Sequence, residues 1–296
     1  MKTLAKLLDE ASRTRTVKEY TTTGTGTEGS LLIEKTIYAT LWDAAQKTLI
    51  PRDIIAVQNG PGDIKGSSID IDLVDPDSMR VYELAEGQAI PIDVLSYTSI
   101  NLKPVRYGVR IPVTKEMVED GKWNLIQKNV EYAGREIAEN ENSLILQALD
   151  NAGTTISGGA RVLYSDLTNA IKTLRDNDYN PDTLICGHEF MDDLLNIDVL
   201  VRANERGNKE ALDTGMINNV LGMKVVLYST NAAPSSTYSK YGYVIDSQHA
   251  LTMAEKRPIT VEKYDDKIHD LSGAVVTQRI KYSYLRADAI VKITTS

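Results

Sequence analysis

Residues 60–97 carry eight acidic side chains against two basic ones, a net charge of −6. Within them Ile69, Ile71 and Leu73 alternate with Asp70 and Asp72, the period of a strand with one wet face. Asn59-Gly60-Pro61-Gly62 is a turn ahead of this run, and Asp75-Pro76-Asp77-Ser78 is a turn after it. Val81–Ala85 resumes strand character, and the alternation returns at Ile100 and Leu102. Pro104 then shifts the phase of Val105, Tyr107, Val109, Ile111 and Val113, which marks a bulge or an edge position. A two-stranded ribbon this acidic has too little core to stand alone. The chain is therefore expected to project a hairpin from its body and rest it on something else.

Thr114 opens the next element as a capping-box-like start. Trp123, Ile126, Val130, Ala133, Ile137, Leu144 and Ala148 follow at spacings of three and four. They predict a helix of about 25 residues, on the order of 37 Å long, whose apolar stripe is broken only near Glu141. Thr154–Gly159 reads as a loop. A smaller α/β lobe comes next: helix 165–177, strand Thr183–Cys186, helix Glu189–Leu195, the polar stretch Arg202–Gly215, and a turn into a buried strand over Leu221–Tyr228. Strands are expected at Tyr241–Asp246, Ile259–Tyr264, Val275–Tyr284 and Ala289–Ile293.

Little here points to chemistry. A net charge of −8 argues against a dedicated nucleic-acid binder, which would show a basic stripe. No apolar run approaches eighteen residues, so no transmembrane helix is expected. The first fifteen residues, broken by Lys6, Asp9 and Glu10, read as an amphipathic helix rather than a signal peptide. The lone cysteine, Cys186, reads as a small buried hydrophobe. His188, His249 and His269 lack the spacing of metal ligands. Asp70, Asp72, Asp75 and Asp77 lack the central glycine and terminal glutamate of a calcium loop. No cofactor or metal is expected.

Gly24, Gly26 and Gly29 have the spacing of a dinucleotide-binding loop. That loop needs a buried strand before it, and Arg13–Tyr20 is too polar to be one. A helical pattern follows at Ile33, Ile37, Leu41, Ala45 and Leu49, and Asp43 lies near the spacing of a ribose-binding acid. No later β–α alternation is expected to supply a parallel sheet. A Thr/Gly linker is the preferred reading, with a nucleotide-dependent enzyme as its rival.

The order of arm, acidic hairpin, long helix, α/β lobe and returning β-tail resembles the major capsid proteins of tailed viruses. Glu86–Pro91 is similar to the segment ending that family's extended loop, and Val105–Asp120 to the strand that feeds its spine helix. Residues 123–149, ending in Glu139-Asn140-Glu141-Asn142-Ser143, resemble the spine helix itself. Leu221–Val226 resembles the axial-lobe strand and Val276–Ala287 the tail strand of the peripheral lobe.

The resemblance implies an α+β, Hong Kong 97-type fold. Its parts would be an N-terminal arm and first helix (1–59), an extended loop (60–97), a peripheral domain with the spine helix (98–160 and 247–296) and an axial domain (161–246). Gly24, Gly26 and Gly29 would be the hinge of the arm. The implied function is a structural, non-enzymatic capsid protein that assembles many copies of itself into an icosahedral shell around a viral genome. An encapsulin-type nanocompartment is the alternative within the fold. Asp70, Asp72, Asp75, Asp77, Glu83 and Glu86 would meet basic partners such as Arg135, Arg202, Arg206 and Lys209 on neighbours. Scaffolding, portal or decoration proteins and non-specifically packaged double-stranded DNA are further implied partners, with no membrane. About 30 residues precede the core pattern, so a separate scaffolding protein or none is expected. The type member cross-links a loop lysine to a neighbour's asparagine. Lys65 is the only lysine between residues 60 and 97, and Asn231 is the last asparagine of the chain, so a shell without covalent links is expected.

Overall fold

The computed structural model of the chain describes residues 40–41, 50, 52–74, 80–84, 88–90, 92–114, 123–151, 153–201, 217–228, 235–266 and 271–295. In order along it come β1 (Val57–Asn59), β2 (Ile69–Val74), β3 (Tyr97–Leu102), β4 (Val105–Thr114), the long helix α1 (Trp123–Leu149) and β5 (Thr154–Ser157). Then follow α2 (Tyr164–Asp176), β6 (Thr183–Cys186), α3 (His188–Leu195), the single turn α4 (Asp198–Val201), β7 (Asn219–Val220) and β8 (Met223–Leu227). The chain ends with β9 (Tyr241–Ile245), β10 (Leu251–Asp266), β11 (Leu271–Tyr284) and β12 (Ile290–Thr294). It divides into two units, residues 1–47, 108–137 and 260–277 in one and residues 48–107, 138–259 and 278–296 in the other.

The second unit is organised by a six-stranded sheet of order β5-β12-β9-β6-β8-β7. Successive side chains of a strand face opposite sides, and here both sides are apolar. Leu184, Cys186, Val244, Val291 and Ile293 meet Leu167, Ala170 and Leu174 of α2 and Phe190, Met191 and Leu194 of α3. Their strand neighbours Ile185, Tyr243, Ile245 and Ile290 meet Ile145, Leu146, Ala148 and Leu149 of α1, together with Ile50, Ile54 and Ile55. Each aliphatic side chain so buried contributes about 1.5–3 kcal/mol. At Gly242 of β9 an added Cβ would run into the Phe190 ring, so glycine there lets α3 lie close on the sheet.

Two expectations are corrected by this sheet. Thr154–Ser157 is a strand, not a loop, and pairs in parallel with β12 from Val291↔Thr154 to Thr294↔Ser157. The chain also supplies a parallel crossover, because β6 pairs in parallel with β8 while β9 runs antiparallel to both β6 and β12. The polar sequence Thr154-Thr155-Ile156-Ser157 suits an edge strand with partly exposed side chains and gives no apolar signal. The segment 161–246 thus does not close this sheet by itself, since β5 and β12 complete it.

A four-stranded sheet has the order β1-β10-β11-β4. Pro104 lies between β3, of the separate β2–β3 hairpin, and β4, at the edge of this sheet, so the phase shift marks a change of sheet into an edge strand rather than a bulge. Its carbonyl accepts a 2.9 Å hydrogen bond from Arg279 Nε. In the first unit, Val130, Ala133 and Ile137 form the buried stripe of α1, with Glu131, Tyr132, Arg135 and Glu136 exposed. There the Arg110 guanidinium also stacks 3.9 Å from the centre of the Tyr264 ring.

Cys186 is fully buried, and burial pushes its thiol up to about 12. The native protein at pH 8 is therefore expected to leave Cys186 unlabelled by iodoacetamide, while the denatured chain labels fully. The unfolded thiol ionises at about 8.5. The associated stability is present below that pH and is lost as pH rises toward the folded value. Rapid labelling of native protein would contradict this placement.

Candidate inter-subunit interface

The extended segment is rooted by a small apolar cluster. β2 and β3 pair antiparallel from Ile69↔Leu102 to Val74↔Tyr97. Ile69, Ile71 and Ile100 pack on buried Ile64, Leu102 and Ala254, while Asp70 and Asp72 face solvent on the other side of the ribbon. Asn101 Nδ2 donates to Asp70 across the pair. Arg286 Nη2 donates to the Val74 carbonyl at 2.9 Å, and Lys256 Nζ to that of Gly66. These two cations hold the ribbon by its backbone.

Between Val74 and Tyr97 the described residues form no strand, which corrects the strand character expected over Val81–Leu84, while Ala85 lies outside the described residues. Asp93 joins the two arms there, accepting hydrogen bonds from the Arg80 backbone N–H and the Tyr82 hydroxyl, each at 2.9 Å. The bond to Asp93, with lesser help from burial and the nearby charge, holds the Tyr82 hydroxyl above its ordinary range. Glu83 is exposed. The exposed apolar side chains are the surprise: Val81 is 103% exposed, Ile92 91%, Val94 85% and Ile90 72%. The charges of this segment are legible in its sequence, whereas Ile90 and Ile92 set no pattern there and pack on no core among the described residues. Covering these four side chains is worth on the order of 6–12 kcal/mol. Association itself costs about 4–15 kcal/mol, so one such contact is marginal and a closed set of repeated contacts is not.

The chain leading into the loop is clamped by a buried polar cluster. Glu141, fully buried on α1, accepts from Arg52 Nε at 2.8 Å and Arg52 Nη2 at 3.1 Å. The Tyr282 hydroxyl donates to the same carboxylate at 2.5 Å, and Asn142 Oδ1 accepts from the Ile50 N–H at 2.8 Å. Glu255 lies 3.5 Å from Arg52 Nη1. Burial opposes the charge on Arg52, but the bonded Glu141 carboxylate, with Tyr282 and Glu255, outweighs it and holds the guanidinium above its ordinary range. Burial, only partly offset by Arg52, raises the Glu255 carboxyl. The polar break in the α1 stripe at Glu141 was the only trace of this cluster in the sequence.

Among the other sequence-derived site residues, Arg135 is exposed on α1, 5.8 Å from the centre of the Tyr132 ring. Asp75, Asp77, Glu86, Arg202, Arg206, Lys209, Gly24, Gly26 and Gly29 lie outside the described residues. So do the arm and most of the first helix. The described His, Cys, Asp and Glu residues form no group able to hold a metal ion, and none of the described helices is long and apolar enough to cross a membrane.

The family model for phage capsid protein matches residues 97–293. The chain belongs to the phage capsid protein family. Solved structures agree on the fold of this capsid protein. The capsid of cyanophage P-SCSP1u aligns with a TM-score of 0.63 at 14% identity, covering 84% of this chain and 88% of that one. Mycobacterium phage Che8 gives 0.62 at 16% identity, covering 77% and 85%. A virus-like particle from Pyrococcus furiosus gives 0.59 at 14% identity, covering 88% and 99%. No curated protein matches the chain. The capsid protein has the Hong Kong 97-type fold, and its family match favours a viral capsid over an encapsulin-type compartment.

Proposed function

We propose that this capsid protein closes, as many copies of itself, into an icosahedral shell that encloses a viral genome in the virion. The observation that carries this reading is the run of apolar side chains exposed at Val81, Ile90, Ile92 and Val94 on an acidic segment with almost no core of its own. Such a surface fits a neighbouring copy, and point symmetry repeats the contact until the shell closes. In this reading residues 60–97 are the loop laid across a neighbour. The peripheral parts comprise 98–160 and 247–296, and the axial part 161–246 with β5 and β12 completing its sheet. The acids Asp70, Asp72, Asp75, Asp77, Glu83 and Glu86 steer docking toward cations such as Arg135, Arg202, Arg206 and Lys209. Gly24, Gly26 and Gly29 let the arm bend. Packaged DNA is held without sequence preference, scaffolding, portal or decoration proteins take part in assembly, and no catalytic step is involved.

Two measurements test this. Purified protein on a size-exclusion column should elute as particles far larger than the 32.7 kDa chain; elution only as monomer would contradict the reading. Boiled in denaturing detergent, those particles should give a single band near 32.7 kDa. An amide bond between lysine and asparagine requires both groups to be held in reactive contact, and the tail strands offer no asparagine. A ladder that survives boiling and reduction would show that covalent links exist.

A further inference from the structure

The layer of α2 and α3 on one face of the six-stranded sheet carries two surfaces of opposite charge. The first is an open cleft lined by Thr168, Ile171, Lys172 and Arg175 on one face of α2, together with Asp176 and Leu221. Lys172 and Arg175 make no side-chain hydrogen bond or ion pair among the described residues. Leu221 stands at the tip of the β7–β8 hairpin with φ of +51°, followed by Gly222 at +87°. A tight turn with two positive φ values ordinarily takes asparagine, aspartate or glycine first. Here a leucine occupies it and stays 41% exposed. The second surface lies on α3 and α4, where Glu189, Asp192, Asp198 and Val199 are exposed. Glu189 accepts a 2.6 Å hydrogen bond from Ser239 Oγ, while the Asp192 carboxylate has no partner among the described residues.

We infer that the cationic cleft of α2 and Leu221 in one copy receives the acidic α3–α4 face of the next copy, a head-to-tail contact that builds the ring around a symmetry axis. Two different surfaces that complement each other form a heterologous contact, and such a contact closes into a ring when its rotation permits. Charge complementarity selects the partner. The cleft is net positive, even with Asp176 in its lining, and the opposing face is net negative. Apolar Leu221 and Val199 supply one exposed anchor on each side. A strained, exposed leucine is poor for the isolated subunit and useful once covered. The inference rests on the shell reading above and assigns residues to one of its contacts.

The test is charge reversal with rescue, read as particle mass by mass photometry and as ring or shell morphology by electron microscopy. Lys172→Glu/Arg175→Glu should lower the assembled fraction at least tenfold, with subunit melting little changed. Glu189→Lys/Asp192→Lys should lower it as much while also lowering subunit melting by a few degrees, because the Ser239 hydroxyl loses its bond to Glu189. The four substitutions together should recover most of the assembled fraction. Leu221→Asn should weaken assembly while raising the melting temperature of the subunit, opposite signs that a purely structural role does not produce. Wild-type assembly by the reversed variants, or loss without recovery in the combined one, overturns the inference. Rings that respond as described but never close uphold this contact and contradict the shell reading. Shells indifferent to every reversal do the converse.

Discussion

Replacing residues 75–96 with the two-residue turn Asn-Gly is expected to leave a folded subunit that forms no closed shells. Val74 and Tyr97 face each other across the β2–β3 pair, and a two-residue Asn-Gly loop joins strands in that register without strain. The apolar root at Ile64, Leu102 and Ala254 stays intact. What leaves the molecule is Val81, Ile90, Ile92 and Val94, which contribute nothing to the monomer's core. Melting of the subunit should therefore shift by only a few degrees, while particles disappear from electron micrographs. Normal shells from this variant would show that the loop is dispensable for closure.

The largest effect on the subunit itself is expected at Glu141. Glu141→Ala leaves Arg52 without its bidentate partner and the buried Tyr282 hydroxyl without an acceptor. Breaking a buried pair from one side costs about 3–5 kcal/mol, which lowers the melting temperature by roughly 10 °C. Replacing both charges, as in Glu141→Leu/Arg52→Met, should recover a good part of that loss, because no uncompensated charge remains. A cost below about 1 kcal/mol for Glu141→Ala, the level of an exposed pair, would mean that the cluster does not hold the segment before the loop.

The elements best legible in the sequence were those whose side chains pattern against this chain's own core. α1 declared itself by apolar residues at spacings of three and four, and β6 by the unbroken run Thr183-Leu184-Ile185-Cys186. β5 was missed because an edge strand needs no apolar alternation, and the β6–β8 crossover because it runs through the polar stretch after α4. The clasp at Glu141 was half visible: a polar residue interrupts the apolar stripe, but its partners Arg52 and Tyr282 stand 89 and 141 residues away. At the candidate interface the acids were legible as a charge count. The apolar residues beside them were not, because side chains that pack on no core of their own chain set no period.

The central claim is that the exposed apolar loop is covered by another copy of the same chain in a closed shell. Cryo-electron microscopy of the purified protein tests it directly. The account predicts closed icosahedral particles in which Val81, Ile90, Ile92 and Val94 of each subunit lie against a neighbouring subunit. Closed particles in which this loop remains in solvent or folds back on its own subunit would contradict it, as would a preparation that contains no closed particles.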